Sequence, residues 1–226
     1  MTPQTPQQPE AFFRESIRIA SVGERKYVRY FDGRGHFAHL RLELKPNDGS
    51  AVTILRGEEL SIPVACWAAA ETALSEAAQR GSLCGLPCCG FSIRVIGGTY
   101  LTRHSHPEAF AIVAGMALED GLRRAMRVVV EPWCEVVVRT QGQWLEALSR
   151  RIHQILGETA LTVRTGTSSI ELTLSLPVRE VLPLKQSFPA EAVQIFSNSS
   201  ATPRYRPVPQ RRLPPLPDQG DFGEWS

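Results

Sequence analysis

The sequence predicts an α+β protein of two domains. Three observations carry that reading. Leu40, Leu42 and Leu44 alternate with Arg41, Glu43 and Lys45, the period-two signature of a half-buried strand. Two stretches, 66–77 and 110–122, repeat alanine and leucine at helical spacing instead. After Pro132 the patterns run strand, helix, strand, strand, helix, strand. That βαββαβ order can close as a four-stranded antiparallel sheet with both helices on one face.

Each element has a local reason. Residues 1–10 are rich in Pro, Gln and Thr and read as a disordered leader. The first domain, 11–132, opens with strand patterns at 13–20, 27–31 and 37–44, the last stopping at Pro46. Asp32-Gly-Arg-Gly35 separates the second and third of these as a hairpin turn. A short strand follows at 52–55, then a helix with Ser61 as its cap, Pro63 in its first turn and Gly81 at its close. Cys66, Ala70, Ala73, Leu74 and Ala77 give that helix a face small enough to approach a sheet closely. A strand at 91–96 precedes Ser105-His-Pro-Glu108, which has the form of a capping box. The helix it opens carries Phe110, Val113, Ala114, Ala117, Leu118 and Leu122 on one face. A strand beginning at 128–130 is expected to break at Pro132, the domain boundary.

In the second domain, 133–202, a strand at 134–139 leads to a helix with Trp144, Leu148, Ile152 and Ile155 on one face. A hairpin around Gly166 joins strands at 161–164 and 170–176, before a short helix at 178–182 and a last strand at 192–196. From 203 to 226 the chain turns into a Pro/Arg-rich disordered tail of polyproline II character.

Composition removes several function classes. Hydrophobic residues make up 42% of the 226, enough for real cores, and 25 Lys+Arg nearly balance 23 Asp+Glu. Five cysteines are too few and too odd in number for a disulfide scaffold. No run approaches the roughly 18 apolar residues of a membrane helix, and the leader lacks the charge and apolar stretch of a signal peptide. The expectation is a cytoplasmic protein with reduced thiols and no membrane partner. Among the cations 22 are arginine and three are lysine. An arginine excess suits phosphate binding, and a G·C-rich genome also produces it.

Candidate chemistry is sparse. Arg34 lies between Gly33 and Gly35, so its guanidinium can project while the backbone comes close to a phosphate. His36 and His39 follow on the same hairpin. Arg123, Arg124 and Arg127 stand at a helix end, where cations complement the dipole. Cys84, Cys88 and Cys89 near His104 and His106 do not have zinc spacing, so no metal is expected. No nucleophile, base and orienting group come together, so no catalytic residue is assigned. In the tail Arg211, Arg212, Pro214 and Pro217 have the form of an SH3 ligand, through which a partner protein could bind. Asp221-Phe-Gly223 lacks any other kinase element, and Asn198-Ser-Ser200 fits a glycosylation sequon without a secretion signal.

An ordered series of short motifs resembles the translation elongation factor G family. Phe31-Asp-Gly-Arg-Gly-His-Phe-Ala-His-Leu40 is similar to the Gly-Gly-Arg-Gly-x-Tyr-Gly-His-Val hairpin of its fourth domain. Gly81-Ser-Leu-Cys-Gly-Leu-Pro87 looks like its Gly-x-x-x-Gly-x-Pro turn, and Gly98-Thr-Tyr100 stands where the family has Gly-Ser-Tyr. Ala109-Phe110, Ala117, Gly121-Leu122 and Ala125 match its next helix, and Glu131-Pro132 its link to the fifth domain. Leu148, Arg150-Arg151, Ile155 and Leu176-Pro-Val-Arg-Glu180 resemble parts of that fifth domain.

The resemblance implies a domain like the second half of ribosomal protein S5, then a ferredoxin-like βαββαβ domain with a left-handed crossover. It implies a tip of two loops in which Arg34, Gly35 and His36 lie beside Arg103 and His104, available to RNA phosphates. It also implies a ribosome-facing helix bearing Arg150 and Arg151.

The departures bear on mechanism. No Gly-x-x-x-x-Gly-Lys-Ser/Thr loop occurs, so no nucleotide or other cofactor is expected. Leu101 stands where the family's second tip loop has its histidine, and Leu182-Pro183 replaces a Phe-Gly-Tyr stretch. The expectation is a non-catalytic protein without the family's GTPase that binds the ribosome or structured RNA. The alternative is a protein-interaction module reusing the fold.

Overall fold

The computed structural model describes residues 13–31, 33–157, 162–165, 170–197 and 204–208. The leader, the turn around Gly166, Asn198-Ser-Ser200 and the SH3-like segment lie outside the described residues. The chain forms two compact units, Phe13–Val130 joined by Pro207 and Val208, and Glu131–Arg206. Both are α+β, and each has its own core.

The first unit contains β1 (Arg14–Ile17), β2 (Ser21–Phe31), β3 (Arg34–Pro46), β4 (Val52–Arg56), α1 (Val64–Arg80), β5 (Phe91–Thr99) and α2 (Pro107–Arg124). Its four-stranded sheet has the order β2-β3-β5-β4, with the last pair parallel and the others antiparallel. Alternation along β3 buries Leu40, Leu42 and Leu44 completely, as the sequence pattern requires. They share one core with Phe91, Ile93 and Val95 of β5 and with the inner faces of α1 and α2.

A separate strand pair fastens the start of the unit. β1 runs antiparallel to the first residues of β6 (Arg127–Thr140), from Arg14↔Val130 to Ile17↔Arg127. Glu15 of β1 is 2% exposed, and its carboxylate accepts four backbone N–H groups of the 81–87 loop.

In the second unit β6 continues to Thr140 and is followed by α3 (Gly142–Leu156), β7 (Thr162–Thr165), β8 (Ile170–Pro177), α4 (Val178–Gln186), β9 (Val193–Ser197) and β10 (Arg204–Pro207). The strands pair antiparallel in the order β9-β6-β8-β7. Val136, Val138, Leu172, Leu174 and Leu176 meet Leu148, Ile152 and Ile155 of α3 and Leu184 of α4 in a single core. α4 runs past Pro183, farther than its pattern predicted, and completely buried Leu184 anchors the extra turn. The tail does not begin at 203. Arg204–Pro207 pairs with β6, and the Arg206 guanidinium stacks 4.6 Å from the Trp133 ring centroid, a cation–π contact that composition alone could not reveal.

Three further local expectations are corrected. The N-cap of α1 is Pro63, with no side-chain cap, so Ser61 stands too far upstream to reach the first-turn amides. The N-cap of α2 is His106, again without a side-chain cap, because the Ser105 hydroxyl is engaged elsewhere. Pro132 does not interrupt its strand. The pairing of β6 with β1 ends at Val130 and its pairing with β8 begins at Trp133, so Pro132 belongs to neither of these two ladders and its missing N–H is not needed by β1 or β8.

Candidate nucleic-acid interface

The long hairpin of the first unit sets up the site. β2 and β3 stay in register from Ser21↔Leu44 to Phe31↔Arg34, well beyond the end of their neighbour β5, whose pairing with β3 stops at His39↔Thr99. Gly33 takes a positive φ of 72° in the turn, a conformation that favours glycine, and its carbonyl accepts the Tyr30 hydroxyl at 3.1 Å.

Where β5 ends, the loop 100–106 takes its place beside β3. The Phe37 N–H donates to the His104 carbonyl at 2.7 Å, and the Ser105 hydroxyl donates to the Phe37 carbonyl at 2.7 Å. The same hydroxyl accepts the Leu101 N–H at 2.9 Å, and the Leu101 carbonyl accepts from both His104 and Ser105. Buried Ser105 is therefore a clamp between the two loops. A sequence pattern that reads as a helix cap serves here as a loop tie, because its hydroxyl finds partners across the chain.

The clamp brings together residues far apart in sequence. The rings of His36 and His106 meet edge-on, centroids 5.6 Å apart. His104 packs on Gly35, where a Cβ would stand 2.8 Å from its Nδ1, so a side chain at 35 would displace the exposed His104 ring. Arg34 and Arg103 are both exposed, one on each loop. His39, by contrast, is held between Glu24 (2.8 Å) and Thr99 (3.0 Å). Leu101 is 42% exposed on the second loop.

The cations fall into two groups. Many have protein partners: Arg25 and Arg124 each lie 3.0 Å from the buried Asp120 carboxylate, and Arg123 lies 3.0 Å from Glu119. Arg127 donates to the Ser82 carbonyl at 2.9 Å, and Arg56 to the carbonyls of Leu60 and Ile62. The helix-end arginines Arg123, Arg124 and Arg127 are thus structural. The side chains of Lys26, Arg29, Arg34, Arg94 and Arg103 make no ion pair or hydrogen bond among the described residues. Arg29, opposite His36, joins Arg34 and Arg103 at the tip.

Arg150 and Arg151 stand on α3 of the second unit, where Arg150 pairs with Glu146 at 2.7 Å and Arg151 meets Gln154 at 3.3 Å. Arg211, Arg212, Pro214 and Pro217 lie outside the described residues. Among the described residues no three His, Cys, Asp or Glu side chains are placed to hold a metal ion. Burial, reinforced by the nearby Glu15 carboxylate, pushes the Cys88 thiol up to about 12, and burial pushes Cys89 up to about 11 against the opposing pull of Arg14. Both stay protonated at neutral pH, which disfavours nucleophilic or metal-binding chemistry. No helix is long and apolar enough to cross a membrane, among the described residues.

Residues 9–126, just over half of the chain, match the family described as elongation factor G, domain IV. The chain belongs to this family. The two loops clamped by Ser105 are therefore part of an elongation factor G domain IV, a fold of the ribosomal protein S5 domain 2 kind. A crystal structure of a protein from Thermus thermophilus superposes with a TM-score of 0.69 over 88% of this chain, at 24% identity. This chain spans 30% of that protein's length, and the likeness is one of fold.

Proposed function

We propose that this protein is a non-catalytic translation accessory that binds the ribosome or structured RNA through its domain IV tip. The observation that carries the reading is the convergence of Arg29, Arg34 and Arg103, none with a partner among the described residues, beside His36, His104 and His106. Arginine forks pair bidentately with phosphate oxygens, and cations without internal partners can be neutralised by RNA without breaking an existing ion pair. The clamp preorganises the two loops, so little ordering entropy is lost on binding.

We read the second unit, 133–202, as the counterpart of domain V. Its β9-β6-β8-β7 antiparallel order supports a ferredoxin-like assignment, and the Thermus likeness covers more of the chain than domain IV alone could. On this reading Arg150 and Arg151 supply a second ribosome contact, for which Arg150 has to leave its exposed pair with Glu146, and the protein acts in the cytoplasm without binding a nucleotide.

Gradient sedimentation with purified ribosomes tests the tip. The full chain co-sediments at about 50 mM salt and is largely released by about 200 mM, as phosphate contacts require. Arg34→Ala combined with Arg103→Ala weakens the association about tenfold at intermediate salt. Absence of ribosome association at every salt concentration overturns the reading.

A further inference from the structure

The helices of the first unit cover one face of its sheet, and the β2–β3 register puts Lys26, Val28 and Tyr30 on the other, with Phe37 directly opposite Val28. Arg94 of β5 lies on that same open face, opposite Glu43. Tyr30 is 79% exposed and Val28 64%, unusual for an aromatic and a β-branched residue side by side on a strand. Neither is needed by the core. Lys26, level with His39, lies next to this apolar patch and Arg94, level with Glu43, lies farther along the same face; neither has a polar partner among the described residues. The acids of this face are matched, Glu24 by Arg41 at 3.8 Å as well as by its hydrogen bond with His39, and Glu43 by Lys45.

The covered side is different in charge. Exposed Glu71 and Glu108 lie on α1 and α2 with no ion-pair partner among the described residues, and the open groove between those helices is lined by alanines with Thr72, Pro107, Glu76 and Glu108. Arg80 and Arg123 on the same helices are paired with Glu76 and Glu119. A polyanion is therefore drawn to the sheet face and not to the helix face.

We propose that the open face of this sheet binds an unpaired RNA strand, with Tyr30 and Phe37 stacking on bases while Lys26 and Arg94 pair with phosphates. A duplex hides the faces of its bases and has no use for an exposed ring, whereas an unpaired strand stacks readily on aromatic side chains. The Tyr30 hydroxyl bond to Gly33 holds the ring along the turn and lowers the entropy lost on stacking. This face adjoins the tip through Tyr30↔Gly35, so RNA binding here rests on the tip reading and extends it.

The test is fluorescence anisotropy with the full chain, using labelled oligouridine of about a dozen nucleotides and a blunt duplex RNA of similar length. The single strand is bound more tightly than the duplex. Tyr30→Ala, a substitution at an exposed position, weakens oligouridine binding at least about fivefold, and Tyr30→Phe, which keeps the ring and loses the hydroxyl bond to Gly33, restores most of it. Lys26→Ala with Arg94→Ala lowers the salt slope by about 1.4. Equal affinity for duplex, failure to bind oligouridine, or indifference to Tyr30→Ala overturns the proposal. If the face variants change nothing while Arg34→Ala with Arg103→Ala still releases ribosomes, this inference fails and the tip reading stands. If both sets change nothing and ribosomes are never bound, the tip reading fails as well.

Discussion

Glu15→Ala will destabilise the 13–130 unit by on the order of 3–5 kcal/mol, a large share of a typical domain's stability. The Glu15 carboxylate is 2% exposed and is the acceptor for the N–H groups of Ser82 (2.9 Å), Leu83 (2.8 Å), Cys84 (2.6 Å) and Leu86 (3.1 Å). Its own backbone is tied to the same loop, through Glu15 N–H to the Pro87 carbonyl and the Cys89 N–H to the Glu15 carbonyl. Truncation leaves four loop donors without their acceptor, next to the apolar cluster of Phe13, Val129, Leu83 and Leu86. Leaving buried donors unpaired is the expensive side of hydrogen bonding, costing more than the net gain from forming each bond. Glu15→Gln keeps one carbonyl oxygen but turns an amide NH₂ toward two of the donors, and it costs about 2–3 kcal/mol. Urea unfolding checks both: the midpoint falls in the order wild type, Gln, Ala, at constant m. A Glu15→Ala midpoint indistinguishable from wild type would show that the loop does not depend on this acid.

Gly23→Ala will be equally damaging for a different reason. β2 and α2 cross here backbone against backbone. A Cβ on Gly23 would lie 2.0 Å from the Ala117 carbonyl oxygen and 2.6 Å from the Gly121 nitrogen. Neither atom can rotate away, so the helix must lift from the sheet and loosen the contacts made by Leu44 and Asp120. The expected loss is about 3 kcal/mol or more, at the upper end of overpacking effects. Gly121→Ala meets the end of the Leu44 side chain at 2.2 Å and is expected to cost less, because that terminus can move. Gly115→Ala on the same helix meets nothing within 4 Å and should instead stabilise, by about 0.5–1 kcal/mol from helix propensity. Thermal or urea midpoints of the three variants give the ranking. A Gly23→Ala protein as stable as Gly115→Ala would contradict the close approach.

These two positions show where sequence reading stops. The strand at Leu40, Leu42 and Leu44 and the helix faces at Cys66 to Ala77 and Phe110 to Leu122 were legible because period and burial coincide. The βαββαβ order was legible for the same reason. Glu15 carried no local mark, since its partners are 67 to 71 residues away and are backbone atoms that any sequence supplies. Ser105 was read as a helix cap because its spacing to Glu108 fits one, yet its hydroxyl is engaged by Leu101 and by Phe37, 68 residues distant. Pro132 looked like a strand end because proline removes a donor, a loss that matters only where a ladder needs that donor. Of the site, Arg34 between its two glycines and His36 after it came from the residues themselves, their placement beside Arg103 and His104 came from motif resemblance, and the clamp brings those two loops together. Arg29, Tyr30 and Lys26 enter only with the proposals made from the structure. The part proposed for them depends on which face each strand position takes and on which cations lack partners, and neither can be read along a single chain.

The central claim is that position, not net charge, makes an arginine of this protein available to RNA. Arg34 and Arg103 have no partner among the described residues, whereas Arg80 and Arg123 are ion-paired on the helix face. Removing either pair to alanine takes away the same formal charge. The direct measurement is ribosome affinity against salt for the wild type, for Arg34→Ala with Arg103→Ala, and for Arg80→Ala with Arg123→Ala. Loss of the tip pair should weaken binding about tenfold and lower the salt slope by about 1.4 to 1.8, with the helix pair staying within about twofold of wild type. Equal losses from the two pairs would contradict the account, because binding would then follow overall charge alone.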